Sequence, residues 1–190
     1  MLGDLTRAQI EKVLFSEVIA RLGCVDGDRA YVVPVTYAYD GRFVYGHSAE
    51  GEKIRLMRRN PSVCFEVERV EDLANWQSVI AWGSFEELHG ETATEASRFL
   101  AARLHPFTGS RSAPLEVPLP QCAGPPPGRP SGRPIVVYRL RLTEKTGRYE
   151  RAVDAPLAPA VEPPALHVPE ALAAASVSTG PHGIRLGPPG

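Results

Sequence analysis

The chain has 190 residues, with 21 Lys+Arg against 22 Asp+Glu and a net charge of -1, which suits one domain with a real core. That balance excludes a global field drawing the protein to nucleic acid or to an anionic membrane, so any anion site must be local. The three cysteines, Cys24, Cys64 and Cys122, form no CxxC pair and suggest neither a disulfide framework nor a structural zinc site.

Proline usage organises the chain. Nine of the 19 prolines fall between His105 and Pro134 and eight between Arg151 and Gly190. The sequence therefore predicts a domain over residues 1–150 with a Pro-rich insertion at 105–134, and a Pro/Ala-rich, disordered tail at 151–190. No apolar run reaches the ~20 residues that span a bilayer, and the N-terminus lacks the basic-then-apolar order of a signal peptide. A cytoplasmic protein with no membrane partner is expected.

In chain order, Thr6-Arg7-Ala8-Gln9 reads as a capping box, with Leu5 and Ile10 placed as a hydrophobic staple, and predicts a helix toward Ser16. Val18–Val25, Ala30–Tyr39 and Arg42–His47 are rich in β-branched and aromatic residues. Asp26-Gly27 and Asp40-Gly41 between them predict hairpin turns and an antiparallel meander. Tyr31, Val33, Val35, Tyr37 and Tyr39 share one face of the second strand, and Pro34 breaks its ladder, implying an edge, a bulge or backbone freed for another partner.

A helix over 49–59 follows, with Ser48 as its N-cap. Ser62–Glu68 alternates with Val63, Phe65 and Val67 inward. Ser78–Leu88 is apolar on both faces, as in a curling strand, with Gly83 at a bend. Thr92-Ala93-Thr94-Glu95 predicts a second capping box and a helix to about Arg103 that buries Ala96, Phe99 and Leu100. Val136, Tyr138, Leu140 and Leu142 alternate in a closing strand. Six strands and three helices without βαβ alternation point to a mainly β fold, a small antiparallel barrel with peripheral helices.

The chemistry concentrates in Gly46-His47-Ser48-Ala49-Glu50-Gly51-Glu52-Lys53. A helix dipole disfavours a cation in the first turn, so Lys53 is misplaced unless an anion joins it there. Phosphate is the natural occupant; the alternative is a solvated lysine paired with Glu50 or Glu52. Only Lys12, Lys53 and Lys145 among the 21 basic residues are lysines. The Pro34 interruption leaves backbone groups for the edge of a planar ligand such as a flavin, or simply protects an edge strand. His47 is a candidate catalytic proton donor or a structural histidine. Trp82 and Tyr37 are either ring-stacking residues or core, and no histidine pair has metal-ligand spacing. The absence of GxSxG, P-loop and GxGxxG motifs disfavours hydrolase, NTPase and Rossmann readings.

In their order, RLGCVDGDRAYVVPVTYAYDGRFVYGHSAEGEKIRLMRRNPSVCFEVE, WQSVIAWGSFEEL and VVYRLRLTEKTGRYE resemble the FMN-binding split barrels of the pyridoxamine 5′-phosphate oxidase-like superfamily, nitroimidazole-resistance-like branch. The resemblance implies a six-stranded split barrel and a homodimer with two flavins at the interface. It places the isoalloxazine and ribityl chain along Val33, Pro34, Val35, Thr36 and Tyr37. Gly46, His47 and Ser48 would stand beside the flavin, Lys53 would hold its phosphate, and Ser78 and Trp82 would touch the ring. The vitamin-B6 oxidases end in an Arg- and His-bearing segment that this chain replaces with TEKTGRYERAVDAP, so oxidation of pyridoxamine phosphate is not expected. Haem and deazaflavin are alternative cofactors in this superfamily. The expected function is a flavin-dependent reductase of a small molecule, such as a nitroaromatic; the alternatives are a non-catalytic flavin or haem sensor or store, and a cofactor-free dimeric barrel.

Overall fold

A computed structural model describes residues 1–107 and 134–152. The tail after Ala152, and the insertion apart from its first three residues and Pro134, lie outside the described residues. The elements are β1 (Leu2–Asp4), α1 (Arg7–Ser16), β2 (Ile19–Asp26), β3 (Arg29–Thr36), β4 (Ala38–Tyr39), β5 (Phe43–Ala49), α2 (Glu52–Arg59), β6 (Ser62–Asp72), β7 (Asn75–Leu88), α3 (Gly90–Leu104), a 3-10 turn (His105–Phe107) and β8 (Ile135–Glu150). They form one antiparallel sheet in the order β3-β2-β6-β7-β8-β5-β4, with β1 added to the end of β8.

The mainly β split-barrel architecture expected from the pattern is present, with eight strands in place of six. Leu2–Asp4 is too short to signal itself. The Ala30–Tyr39 run divides at Tyr37, whose N–H bonds the Val18 carbonyl at 3.0 Å instead of a strand partner. The consequence is topological: β3 and β4 are parts of one segment, yet they stand at opposite ends of the sheet. The barrel is completed by the covalent chain, and its hydrogen-bonded ladder stays open.

Local chemistry explains most elements. Thr6 caps α1 in a full capping box with Gln9, and Leu5 and Ile10 are both buried. The first hairpin turns on Gly27-Asp28, one residue later than the sequence suggested, because Gly27 adopts φ 62° at the first central position as a type II′ turn requires. In the second, Asp40 accepts from the N–H groups of Arg42 and Phe43 at 2.8 and 2.6 Å. Gly83 sits at a register shift against β8, where a Cβ would run into the Arg141 carbonyl.

Two helix starts need correction. Ser48 is not the N-cap of α2: it belongs to β5 and donates to the Ala49 carbonyl at 2.9 Å, while Gly51 occupies the cap with no side-chain bond. The Thr92 box is not formed either, because α3 begins at Gly90 and Thr92 donates back to the His89 carbonyl at 2.8 Å.

The barrel interior is filled by Leu14, Leu22, Tyr37, Ile54, Met57, Phe65, Val67 and Leu140, among others. Complete burial of a side chain such as Phe65 contributes roughly 2–3 kcal/mol. A second cluster lies under α3, where Phe99 and Leu100 meet Phe43, Tyr45 and Val137. Residues 136–140 of β8 are therefore buried on both faces, including Arg139, which pairs with Glu86 at 2.7 Å and lies over the Phe43 ring.

Candidate functional site

The open ladder creates the site. β5 pairs with β4 only through Tyr45↔Ala38 and Val44↔Tyr39, while Gly46–Ala49 continue to pair with β8 on the other edge. Among the described residues β3 pairs with β2 alone. The edge of β3 and the last four residues of β5 thus border a split, and α2 follows β5 so closely that its first turn reaches the same place.

Val33, Pro34, Val35 and Thr36 lie along that edge strand, with Val33 and Val35 turned inward and Pro34 and Thr36 exposed. Pro34 occupies the edge strand, one of the roles the sequence allowed it. Tyr37 is withdrawn from the split: its ring is buried edge-on to Phe65, its hydroxyl donates to the Leu14 carbonyl at 2.9 Å, and its N–H is taken by Val18. Gly46 pairs with Tyr138, whose ring would lie 2.5 Å from any Cβ at that position. No side chain can be added there without displacing a buried ring.

Lys53, second residue of α2, is half-buried and has no ion pair among the described residues. Glu50 pairs instead with Arg58 at 2.8 Å and Glu52 with Arg55, so the solvated-pair alternative for Lys53 fails. Burial pushes the Lys53 pKa down, and the Cys24 thiol opposes that shift. His47 is also half-buried, and its Nδ1 is buried with no hydrogen-bond partner. Burial, then the nearby Lys53 charge, lowers its pKa. The Cys24 thiol, 2% exposed, is pushed up by burial and down by Lys53, and Cys24 in turn acts on the buried Tyr138.

Lys53 acts electrostatically on both His47 and Cys24, and the Tyr138 ring lies over Gly46; His47 stands opposite Val137, on the face of β5 that carries Phe43 and Tyr45. Cys24 and Tyr138 were not read as site neighbours in the sequence, and nothing local marks them. The arrangement fits an anion: an unpaired cation, uncapped helix N–H groups and an orphaned imidazole nitrogen together leave donors without acceptors. Among the described residues no group of His, Cys, Asp and Glu could hold a metal ion, and no helix is long and apolar enough to cross a membrane.

Ser78 and Trp82 stand apart from the split. β7 is three strand spacings from β3, about 14 Å, and Trp82, 42% exposed, is on the outer face of the sheet. Ser78 donates to Glu66 at 3.1 Å and lines a groove of about 670 Å³ with Trp76, Ile80, Lys145 and Arg148. Val32, Gly23, Cys64 and Trp82 are register neighbours across four strands, and with Ile80, Pro34 and Ile19 they form an exposed, largely apolar strip crossed by the Arg21–Glu66 and Arg21–Glu68 pairs.

Comparison with known proteins agrees with this fold. An uncharacterized protein of Rhizobium meliloti is 36% identical over 84 residues, 44% of this chain; the chain spans 56% of that relative's length. A solved FAD-binding protein of Mesorhizobium loti is 27% identical with a TM-score of 0.60, the likeness covering 78% of this chain and 98% of that one. A candidate 5-nitroimidazole antibiotic resistance protein of Bacteroides thetaiotaomicron shares the fold at 19% identity and TM-score 0.56, over 78% of this chain and 87% of its own. The family model described as pyridoxamine 5′-phosphate oxidase matches residues 6–149, nearly all of the described fold, and the chain belongs to that family.

Proposed function

We propose that the protein binds FMN in the split and acts as a flavin-dependent reductase of a small molecule, with a nitroaromatic as a substrate class to test. One observation carries this reading: Lys53 is a half-buried lysine in the first turn of a helix without a side-chain cap, and the neighbouring glutamates are paired elsewhere. The FAD-binding function of the Mesorhizobium loti relative supports a flavin over other phosphorylated ligands.

Lys53 and the early N–H groups of α2 would hold the phosphate, and the Val33–Thr36 backbone would meet the ring edge. Bound flavin supplies hydride or electron transfer; the protein supplies position and electrostatics. His47, near the end of β5, would hold or donate a proton for a reacting group at the split. Oxidation of pyridoxamine phosphate itself is not proposed, because the described end of β8 and the two residues after it carry no histidine.

The active form in this reading is a cytoplasmic homodimer. The exposed strip of Val32, Cys64, Trp82 and Ile80 is the face that a second copy would cover, and it would bring Ser78 and Trp82 of the partner subunit toward the flavin. The first test is the absorption spectrum of the purified protein before and after excess FMN and removal of the unbound fraction, with sedimentation to give the assembly state. Retained flavin bands that Lys53→Ala abolishes support the reading, and a monomer would sink the dimer. A second reading, haem binding without turnover, is favoured by the orphaned Nδ1 of His47, which could ligate iron. A Soret band lost in His47→Ala would establish it.

A further inference from the structure

The fold buries Tyr37, Tyr39, Tyr45 and Tyr138 almost completely, none of them more than 3% exposed. Three bond within the fold: Tyr37 donates to the Leu14 carbonyl at 2.9 Å, Tyr39 to Glu11 at 2.8 Å and Tyr45 to Asp40 at 2.9 Å. The Tyr138 hydroxyl has no hydrogen-bond partner among the described residues. A buried phenol without a partner carries a desolvation cost that phenylalanine would not. Packing on Phe85, with ring centroids 5.6 Å apart, accounts for the Tyr138 ring but not for its oxygen.

Strand geometry shows where that oxygen goes. Tyr138 stands opposite Gly46, and its Cζ and Oη lie 2.5 and 2.6 Å from where a Gly46 Cβ would be. The side chain therefore leans from β8 across β5 toward the far edge of β5. That edge pairs with β4 at Val44 and Tyr45, and Gly46 is the first residue beyond the pairing. Thr36 ends β3 just before Ala38, the partner of Tyr45, so the strands fork between Thr36 and Gly46. Across the fork β3 and β5 come within 8 Å of each other at Cα. Among the described residues, His47 Nδ1 and Glu95 Oε2 are the side-chain nitrogen and oxygen atoms that are both sealed from solvent and unpartnered. The Tyr138 hydroxyl, also unpartnered, is thus not sealed, and it opens on the inner end of the split.

We propose that Tyr138 is a ligand-binding residue, and that its hydroxyl, carried over Gly46 to the fork, hydrogen-bonds the uncharged part of the bound flavin, its ring or ribityl chain. This rests on the flavin reading given above. A phenol both donates and accepts, which suits a ring carbonyl or a ribityl hydroxyl. The phosphate stays with Lys53, further along the chain in α2. Gly46 is then bare for a reason beyond packing, because a side chain there would displace the ring and the hydroxyl with it.

The experiment compares the full chain with its Tyr138→Phe variant, which keeps the ring and removes one oxygen. Binding of FMN and of riboflavin is read by fluorescence quenching, and thermal unfolding is followed without ligand. The expected result is a loss of about fivefold in affinity for both flavins, with an unfolding midpoint no lower than wild type. Lys53→Ala, by contrast, weakens FMN and leaves riboflavin unchanged. Equal affinities in wild type and Tyr138→Phe overturn the proposal and leave the flavin reading standing. A loss confined to FMN does the same, since it would put the hydroxyl on the phosphate. A lower unfolding midpoint in ligand-free Tyr138→Phe also overturns it, because the hydroxyl would then have a partner within the fold. A wild type that retains neither flavin brings down both readings.

Discussion

Helices α1 and α2 pack on the same core, α1 through Ile10, Val13 and Leu14 and α2 through Ile54, Leu56 and Met57, yet their N-termini are built in opposite ways. Thr6 and Gln9 close the first end reciprocally, with Thr6 N–H donating to Gln9 at 2.8 Å. Gly51 leaves the second end open, and Lys53 adds a positive charge where the dipole is already positive. Burial cannot explain the difference, since both helices insert three apolar side chains. The third helix, α3, also starts without a side-chain cap, at His89, so what sets α2 apart is the lysine in its open first turn.

The largest expected effect tests whether the split needs its bare β5 edge. Gly46→Ala drives a methyl into the Tyr138 ring, and overpacking of this kind costs about 3 kcal/mol; denaturant unfolding should show it, and an unchanged midpoint would mean that Tyr138 can move. Next, Lys53→Ala should leave stability near wild type and weaken FMN binding by about 2 kcal/mol, roughly thirtyfold, as read by fluorescence quenching. Equal affinity in the variant would remove α2 from ligand binding. At the sealed helix, Thr6→Ala should lower stability by about 1 kcal/mol without changing FMN affinity, which separates a structural cap from a functional opening. The smallest effect comes from sealing α2 artificially. Gly51 has extended backbone with only the Ala49 carbonyl oxygen near a Cβ, at 3.7 Å. Gly51→Ser should therefore stabilise by a few tenths of a kcal/mol while weakening FMN through competition for the same N–H groups. Tighter FMN binding in that variant would contradict the open-terminus account.

Much of the fold was legible because its signals are local. The α1 box spans four residues, the inward Val63, Phe65 and Val67 follow the two-residue strand period, and the Gly83 bend marks its own register shift. Lys53 was legible for the same reason, since a cation in a first turn conflicts with the dipole whatever the tertiary structure. Local rules also misled. Ser48 and Thr92 have the right type and spacing for caps, but β5 continues through Ser48 and α3 starts before Thr92. In each case the pairing or packing of a longer element outweighed a cap worth about 1 kcal/mol.

The sequence by itself determined most strands and turns, the core faces and the place of Lys53 in the first turn of its helix, because each depends on neighbours a few residues apart. Only the tertiary structure decided that Arg29–Tyr39 supplies both ends of the sheet, that Glu50 and Glu52 pair with Arg58 and Arg55, and that Lys53 acts on both His47 and Cys24 and Cys24 on Tyr138. Those relations join residues separated by as many as 114 positions. They are set by barrel curvature and the register of paired strands, which no periodicity within one segment records.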